Sequence, residues 1–112
     1  MSGVPFRKLC AVEEIPNGEG LTVELDGVEL AVFRDGHSIW CTEGRCPHAF
    51  ELMSKAVLEN QTVECLAHHY CFDLQTGKAV KPTPGIAFLK LYPVTIEDGN
   101  VLVQFEAEED EW

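Results

Sequence analysis

Short runs of alternating apolar and polar residues, separated by turn residues, dominate the chain. Leu21-Thr22-Val23-Glu24-Leu25 alternates with period two, the spacing of a half-buried strand. Asp26-Gly27 follows, then Val28-Glu29-Leu30-Ala31-Val32-Phe33. Asp-Gly between two such runs predicts a hairpin, because a type I′ turn needs positive φ at both central residues. Asp35-Gly36 repeats the device before His37-Ser38-Ile39-Trp40-Cys41. Asp98-Gly99-Asn100 lies between runs at 93–97 and 101–105 and predicts a third hairpin. Residues 6–12 and 87–92 are further strand candidates. No stretch has the length and period of a capped helix, although residues 51–58 allow one helical turn. The pattern predicts an all-β fold, a sandwich or small barrel.

From residue 42 to about 85 the rhythm breaks, and loops carry most of the residues. This stretch holds three of the five cysteines and three of the four histidines. Loops on a rigid β scaffold are where sites are usually built. The 112 residues suffice for one domain with one modest core, spanning 1–112. No repeat or linker divides them. The tail, 106–112, has five acids in seven residues and reads as a solvated end.

No apolar run is long enough to cross a membrane. The basic residues Arg7 and Lys8 have no apolar signal core behind them, which points to a cytoplasmic protein. A net charge of −11 argues against nucleic acid and anionic membranes. It leaves two readings open: docking on a basic protein patch, or solubility alone. An odd number of irregularly spaced cysteines does not fit a secreted disulfide scaffold, so a Cys/His cluster here points to metal.

The candidate ligands are Cys46-Pro47-His48 and Cys65-Leu66-Ala67-His68, with 16 residues between His48 and Cys65. Each tight loop supplies one thiolate and one imidazole. Such a set suits a binuclear iron–sulfur cluster, one iron taking both thiolates and the other both imidazoles. Zinc is the alternative, but structural zinc sites usually pair Cys with Cys and His with His. Cys10, Cys41 and Cys71 read as strand or core thiols, Trp40 as a core residue, and His37 and His69 as exposed.

Cys46-x-His48 with Cys65-x-x-His68 resembles the Rieske signature. The resemblance extends through Phe72-Asp73, Thr76-Gly77-Lys78 and the run Tyr92-Pro93-Val94-Thr95-Ile96-Glu97-Asp98-Gly99, and in length the chain is similar to bacterial Rieske ferredoxins. It implies a Rieske-type fold: three stacked antiparallel sheets, with an inserted cluster-binding subdomain over about 42–85. It implies one [2Fe–2S] cluster per chain, on Cys46, His48, Cys65 and His68. Pro82-Thr83-Pro84 matches the loop that shields the cluster, and His69 stands where these ferredoxins often have Gly.

Histidine ligation raises the potential, because two ferric ions, two sulfides, two thiolates and two neutral imidazoles sum to about zero charge. Respiratory Rieske proteins add a loop-to-loop disulfide and hydroxyl donors. At the matching positions this chain has Glu51 and Ala67, Tyr70 for Ser, and Phe72 for Tyr. The expectation is a potential at the low end of the Rieske range, about −150 mV.

The resemblance implies a one-electron carrier, not an enzyme. Its expected partners are an NAD(P)H-dependent flavin reductase and a terminal non-haem-iron oxygenase, and the carrier is expected to be a monomer. Pro47, Leu66 and Ala67 lean towards carriers of diiron hydrocarbon monooxygenases over those of aromatic-ring dioxygenases. The alternatives are a small subunit of assimilatory nitrite reductase and a structural zinc module.

Overall fold

The computed structural model describes residues 5–47, 51–66, 69–81, 84–85 and 87–105. In chain order the strands begin with β1 (Phe6–Ala11), β2 (Gly20–Leu25), β3 (Val28–Asp35) and β4 (Ser38–Glu43). Four short strands follow: β5 (Val57–Glu59), β6 (Thr62–Glu64), β7 (Cys71–Asp73) and β8 (Ala79–Lys81). The last are β9 (Leu91–Tyr92), β10 (Val94–Glu97) and β11 (Asn100–Gln104). They form three antiparallel sheets, ordered β1-β11-β10, β2-β3-β4-β9 and β5-β6-β7-β8.

The near-continuous apolar run of β3 explains the stacking. Leu30, Ala31, Val32 and Phe33 are all fully buried. Leu30 and Val32 enter one core with Ile15, Cys41, Val101 and Val103. Ala31 and Phe33, on the opposite face, enter a second core with Met53, Val63, Phe72 and Leu74. A strand buried on both faces cannot alternate apolar with polar residues. The second sheet is therefore the middle layer.

The third sheet is an insertion. The chain leaves β4, builds β5 to β8, and returns to pair β9 directly with β4, Cys41 opposite Tyr92. Two of the expected hairpin turns have the I′ pattern: Asp26 and Gly27 have φ 55° and 79°, Asp98 and Gly99 52° and 78°. The turn before β4 differs. Its two loop residues are Gly36 and His37, since Asp35 pairs with Ser38, and only Gly36 has positive φ, 64°.

Two strand expectations are corrected. The first strand stops at Ala11, because Val12–Glu14 form a 3-10 turn whose Glu14 carboxylate accepts the Ala11 N–H. Of 87–92, only Leu91–Tyr92 is a strand. Residues 87–90 divide their hydrogen bonds between layers: Leu89 N–H donates to the Gly77 carbonyl, while the Lys90 carbonyl accepts from Glu43 N–H. The expected helical turn within 51–58 is a 3-10 turn, Met53–Lys55, followed by β5.

Candidate metal centre

β4 and β6 each run into a cysteine loop, and the two loops are built alike. Cys46 N–H donates to the Glu51 carbonyl, and Cys65 N–H donates to the Tyr70 carbonyl, both at 2.8 Å. Each loop thus closes five residues after its cysteine. The next pair outward continues each neck: Arg45 bridges Leu52, and Glu64 pairs with Cys71. The sequence gives the ligand spacing, but this equality depends on which carbonyl each amide finds.

The first loop is fastened to the middle sheet. A Cβ on Gly44 would lie 2.5 Å from the Glu29 carbonyl oxygen, so the chain leaves β4 in backbone contact with β3. Arg45 grips the Glu29 carboxylate at 2.7 and 3.3 Å, and that hydrogen-bonded guanidinium holds the carboxyl below the usual carboxylate range. Behind it, fully buried Met53 donates its N–H to the Gly44 carbonyl. The second loop is closed by its own groups. His69 N–H donates to the Cys65 carbonyl at 2.7 Å, and His69 Nδ1 lies 2.8 Å from Glu64 Oε2.

Cys46 and Cys65 are 1% and 2% exposed and share the inner core with Val63, Phe72 and Leu74. A thiolate in such surroundings is costly unless a cation takes its charge. Two buried thiols at matching loop necks suit an iron that binds both as thiolates. His48, Ala67, His68, Pro82 and Thr83 lie outside the described residues. Pro84 and Gly85 form a turn, with Gly85 N–H donating to the Ala79 carbonyl.

Residues 6–93 match the family described as the Rieske [2Fe–2S] domain. The chain belongs to the Rieske family. Its site therefore carries a Rieske-type [2Fe–2S] cluster, a group that accepts and returns one electron. The biphenyl dioxygenase ferredoxin subunit of Pseudomonas sp. (strain KKS102) is 39% identical over 101 residues, 89% of this chain and 92% of that one. The ferredoxin of the carbazole 1,9a-dioxygenase complex of reduced oxygenase and oxidised ferredoxin is 28% identical. It superposes with a TM-score of 0.79 over 94% of this chain and 97% of its own. A nitrite reductase small subunit from Mycobacterium tuberculosis gives a TM-score of 0.82 over 96% and 100%, but at 21% identity it speaks for the fold alone.

This Rieske protein is an electron carrier and not a catalytic component, as its ferredoxin relatives are. Several relatives carry the names of dioxygenase ferredoxins, and these names do not support the lean towards diiron monooxygenase carriers. Among the described residues, which include all five cysteines, no disulfide forms. Phe72, without a hydroxyl, is fully buried beside the half-buried Tyr70, ring centroids 6.3 Å apart. No helix among the described residues is long and apolar enough to cross a membrane.

The remaining candidates fall where their surroundings put them. Cys41 and Cys10 are buried, and burial pushes their thiols up to about 12 and about 11. Trp40 packs against the inner core, and His37 is exposed in its turn. Cys71 is half-buried, its thiol raised first by burial and then by Glu64. His69 is exposed, as expected. Its positive φ of 60° and its bond to Glu64 were not foreseen.

Proposed function

We propose that this chain carries single electrons from an NAD(P)H-dependent flavin reductase to the terminal oxygenase of an aromatic-ring dioxygenase system. It would hold its cluster on Cys46, His48, Cys65 and His68, and act as a cytoplasmic monomer. The observation that carries the reading is the pair of matched loops with buried Cys46 and Cys65 at their necks. His48 follows Cys46 by two residues and His68 follows Cys65 by three, so each of the two similarly closed loops would offer one thiolate and one imidazole. Near-full-length likeness to dioxygenase ferredoxins supports the choice of partners. Leu66, exposed directly after Cys65, adds apolar surface at the loop where such a partner would dock.

The test has two parts. His48→Ala and His68→Ala should each abolish the Rieske electron paramagnetic resonance signal of the reduced protein, whereas His37→Ala should leave it intact. A colourless preparation holding zinc without iron would overturn the ligand assignment. Reductase, this chain and a terminal dioxygenase encoded beside it should together turn over an aromatic substrate with NADH, and omission of this chain should stop turnover. Turnover undiminished by its omission would refute the carrier role.

A further inference from the structure

We propose that the chain's own acidic segment, residues 106–112, folds back onto an apolar groove beside β9, with Trp112 seated in the groove and the carboxylates set against Lys90. The proposal stands independently of the carrier reading above.

All three layers of the fold contribute to this groove. Trp40 comes from β4, Leu91 and Tyr92 from β9, and Val94 from β10, while Leu74 directly follows β7. The groove is open to solvent and has a volume of about 290 Å³, and among the described residues that line it none is charged. β9 is the last strand in the order of the middle sheet. A sheet edge with apolar walls beside it invites pairing with other chains unless something covers it.

Tyr92 ties the groove to the place where the acidic segment starts. Its ring meets the Phe105 ring edge-on, centroids 5.4 Å apart, and Phe105 is buried. Gln104 N–H donates to the Pro93 carbonyl at 2.9 Å and fixes the same exit. Glu106-Ala107-Glu108-Glu109-Asp110-Glu111-Trp112 continues from there, outside the described residues. Seven residues span about 25 Å when extended, and bringing Trp112 back to Tyr92 takes only a loop of ordinary size. The tether keeps the segment beside the groove at an effective concentration of about millimolar. An indole between Trp40 and Tyr92 also gains aromatic contacts.

Charge selects the same occupant. Residues 74–96, which supply most of the groove, include Lys78, Lys81 and Lys90 and no acid. Residues 1–73 and 97–105 carry a net charge of −9. A segment with five acids is therefore repelled by the rest of the chain and drawn to this stretch. Lys90 Nζ lies 5.2 Å from the Tyr92 ring centroid, at the groove. Glu43 on β4 turns its carboxylate to the Lys90 N–H, at 2.9 Å.

The test labels both tryptophans of the oxidised holoprotein with fluorotryptophan and reads the fluorine resonances in the presence of a neutral gadolinium chelate. Trp112→Phe assigns the two signals. The chelate should relax Trp112 at least threefold less than it relaxes a synthetic peptide of residues 106–112. Trp112→Ala should shift the Trp40 resonance, because Trp40 forms a wall of the groove, and should leave the visible spectrum unchanged. Lys90→Glu, with a parental visible spectrum, should raise the relaxation of Trp112 at least twofold. Relaxation equal to the peptide's would overturn the proposal and leave the groove to another molecule. A Trp40 resonance unmoved by Trp112→Ala would also overturn it, as would parental protection in Lys90→Glu. Protection lost on tenfold dilution would overturn it in favour of the segment of a second copy.

Discussion

Replacing Gly77 with Ala should loosen the third sheet from the middle layer. Gly77 has φ +82°, and a Cβ added there would lie 2.4 Å from the Leu89 carbonyl oxygen, a backbone atom that cannot swing aside. Two backbone bonds meet at this residue: Gly77 N–H donates to the Asp73 carbonyl, and Leu89 N–H donates to the Gly77 carbonyl, both at 2.7 Å. A left-handed alanine costs about 1–2 kcal/mol. Moving the Leu89 strand away to relieve the clash breaks or stretches the second bond, about 1 kcal/mol more. The sum is about 2–3 kcal/mol. Gly99→Ala is the internal control. Its φ is nearly the same, +78°, but nothing lies within 4 Å of the added Cβ, so only the backbone term of about 1–2 kcal/mol applies.

Thermal melts of the two holoproteins separate these terms. At about 4–5 °C per kcal/mol for a domain of this size, Gly77→Ala should melt about 8–15 °C below the parent and Gly99→Ala about 4–10 °C below it, a gap of about 4–5 °C between the two. The probe dependence should also differ. Residues 87–90 connect the third sheet to β4, so Gly77→Ala should lose cluster absorbance before far-ultraviolet ellipticity, as local opening precedes global unfolding. Gly99 lies in the β10–β11 turn, in the first sheet, and its variant should lose both signals together. Equal melting points for the two variants would refute the clash argument.

Other outcomes follow from the site and the cores. With no disulfide, and with Phe72 in place of a hydroxyl donor, the reduction potential should be about −150 mV by voltammetry, and a value above about +100 mV would contradict the reading. Burial raises the Cys41 thiol from 9.0 to about 12, so its share of stability is complete below pH 9 and is lost as pH rises towards 12. Denaturant titrations should show it as a fall of up to about 1.4 kcal/mol per pH unit, shallower in Cys41→Ala, where the contribution of Cys10, raised to about 11, remains. The KM of the acceptor oxygenase for this chain should change less than about threefold between low and moderate salt, because the stretch bearing the cysteines is nearly neutral. A change of about tenfold or more would show that the full acidic charge reaches the interface.

The parts of this structure that were legible in the sequence are those set by near neighbours. Asp26-Gly27 and Asp98-Gly99 mark their hairpins because their backbone demand is local. The run from Leu30 to Phe33 announced a strand, but only the stacking shows why it is unbroken. The third sheet was hidden because its strands have three residues each, too few for periodicity to register. Its first turn, Asn60-Gln61, reaches positive φ at both residues without glycine. At the site, cysteine spacing gave the loops directly. The hold of Glu64 on His69 was not readable, because it arises from the β6–β7 register rather than from sequence neighbours.

The net charge is unevenly distributed along the chain. Residues 42–85 contain five of the 19 acids and four of the eight bases, a net of −1. The remainder of the chain carries −10 of the −11. Part of the local balance is fixed in a pair, Arg45 with Glu29 across to the middle sheet. The acidity therefore lies mainly on the first two sheets with their turns and on residues 106–112, where it would serve solubility. Near the cysteines it is nearly cancelled, which favours reduction of a cluster there, since nearby negative charge would oppose an incoming electron. A strongly acidic docking face would also bind a basic partner tightly and release it slowly, whereas a shuttle must leave after each electron. A nearly neutral stretch with Leu66 exposed on it would instead favour brief, shape-dependent contact.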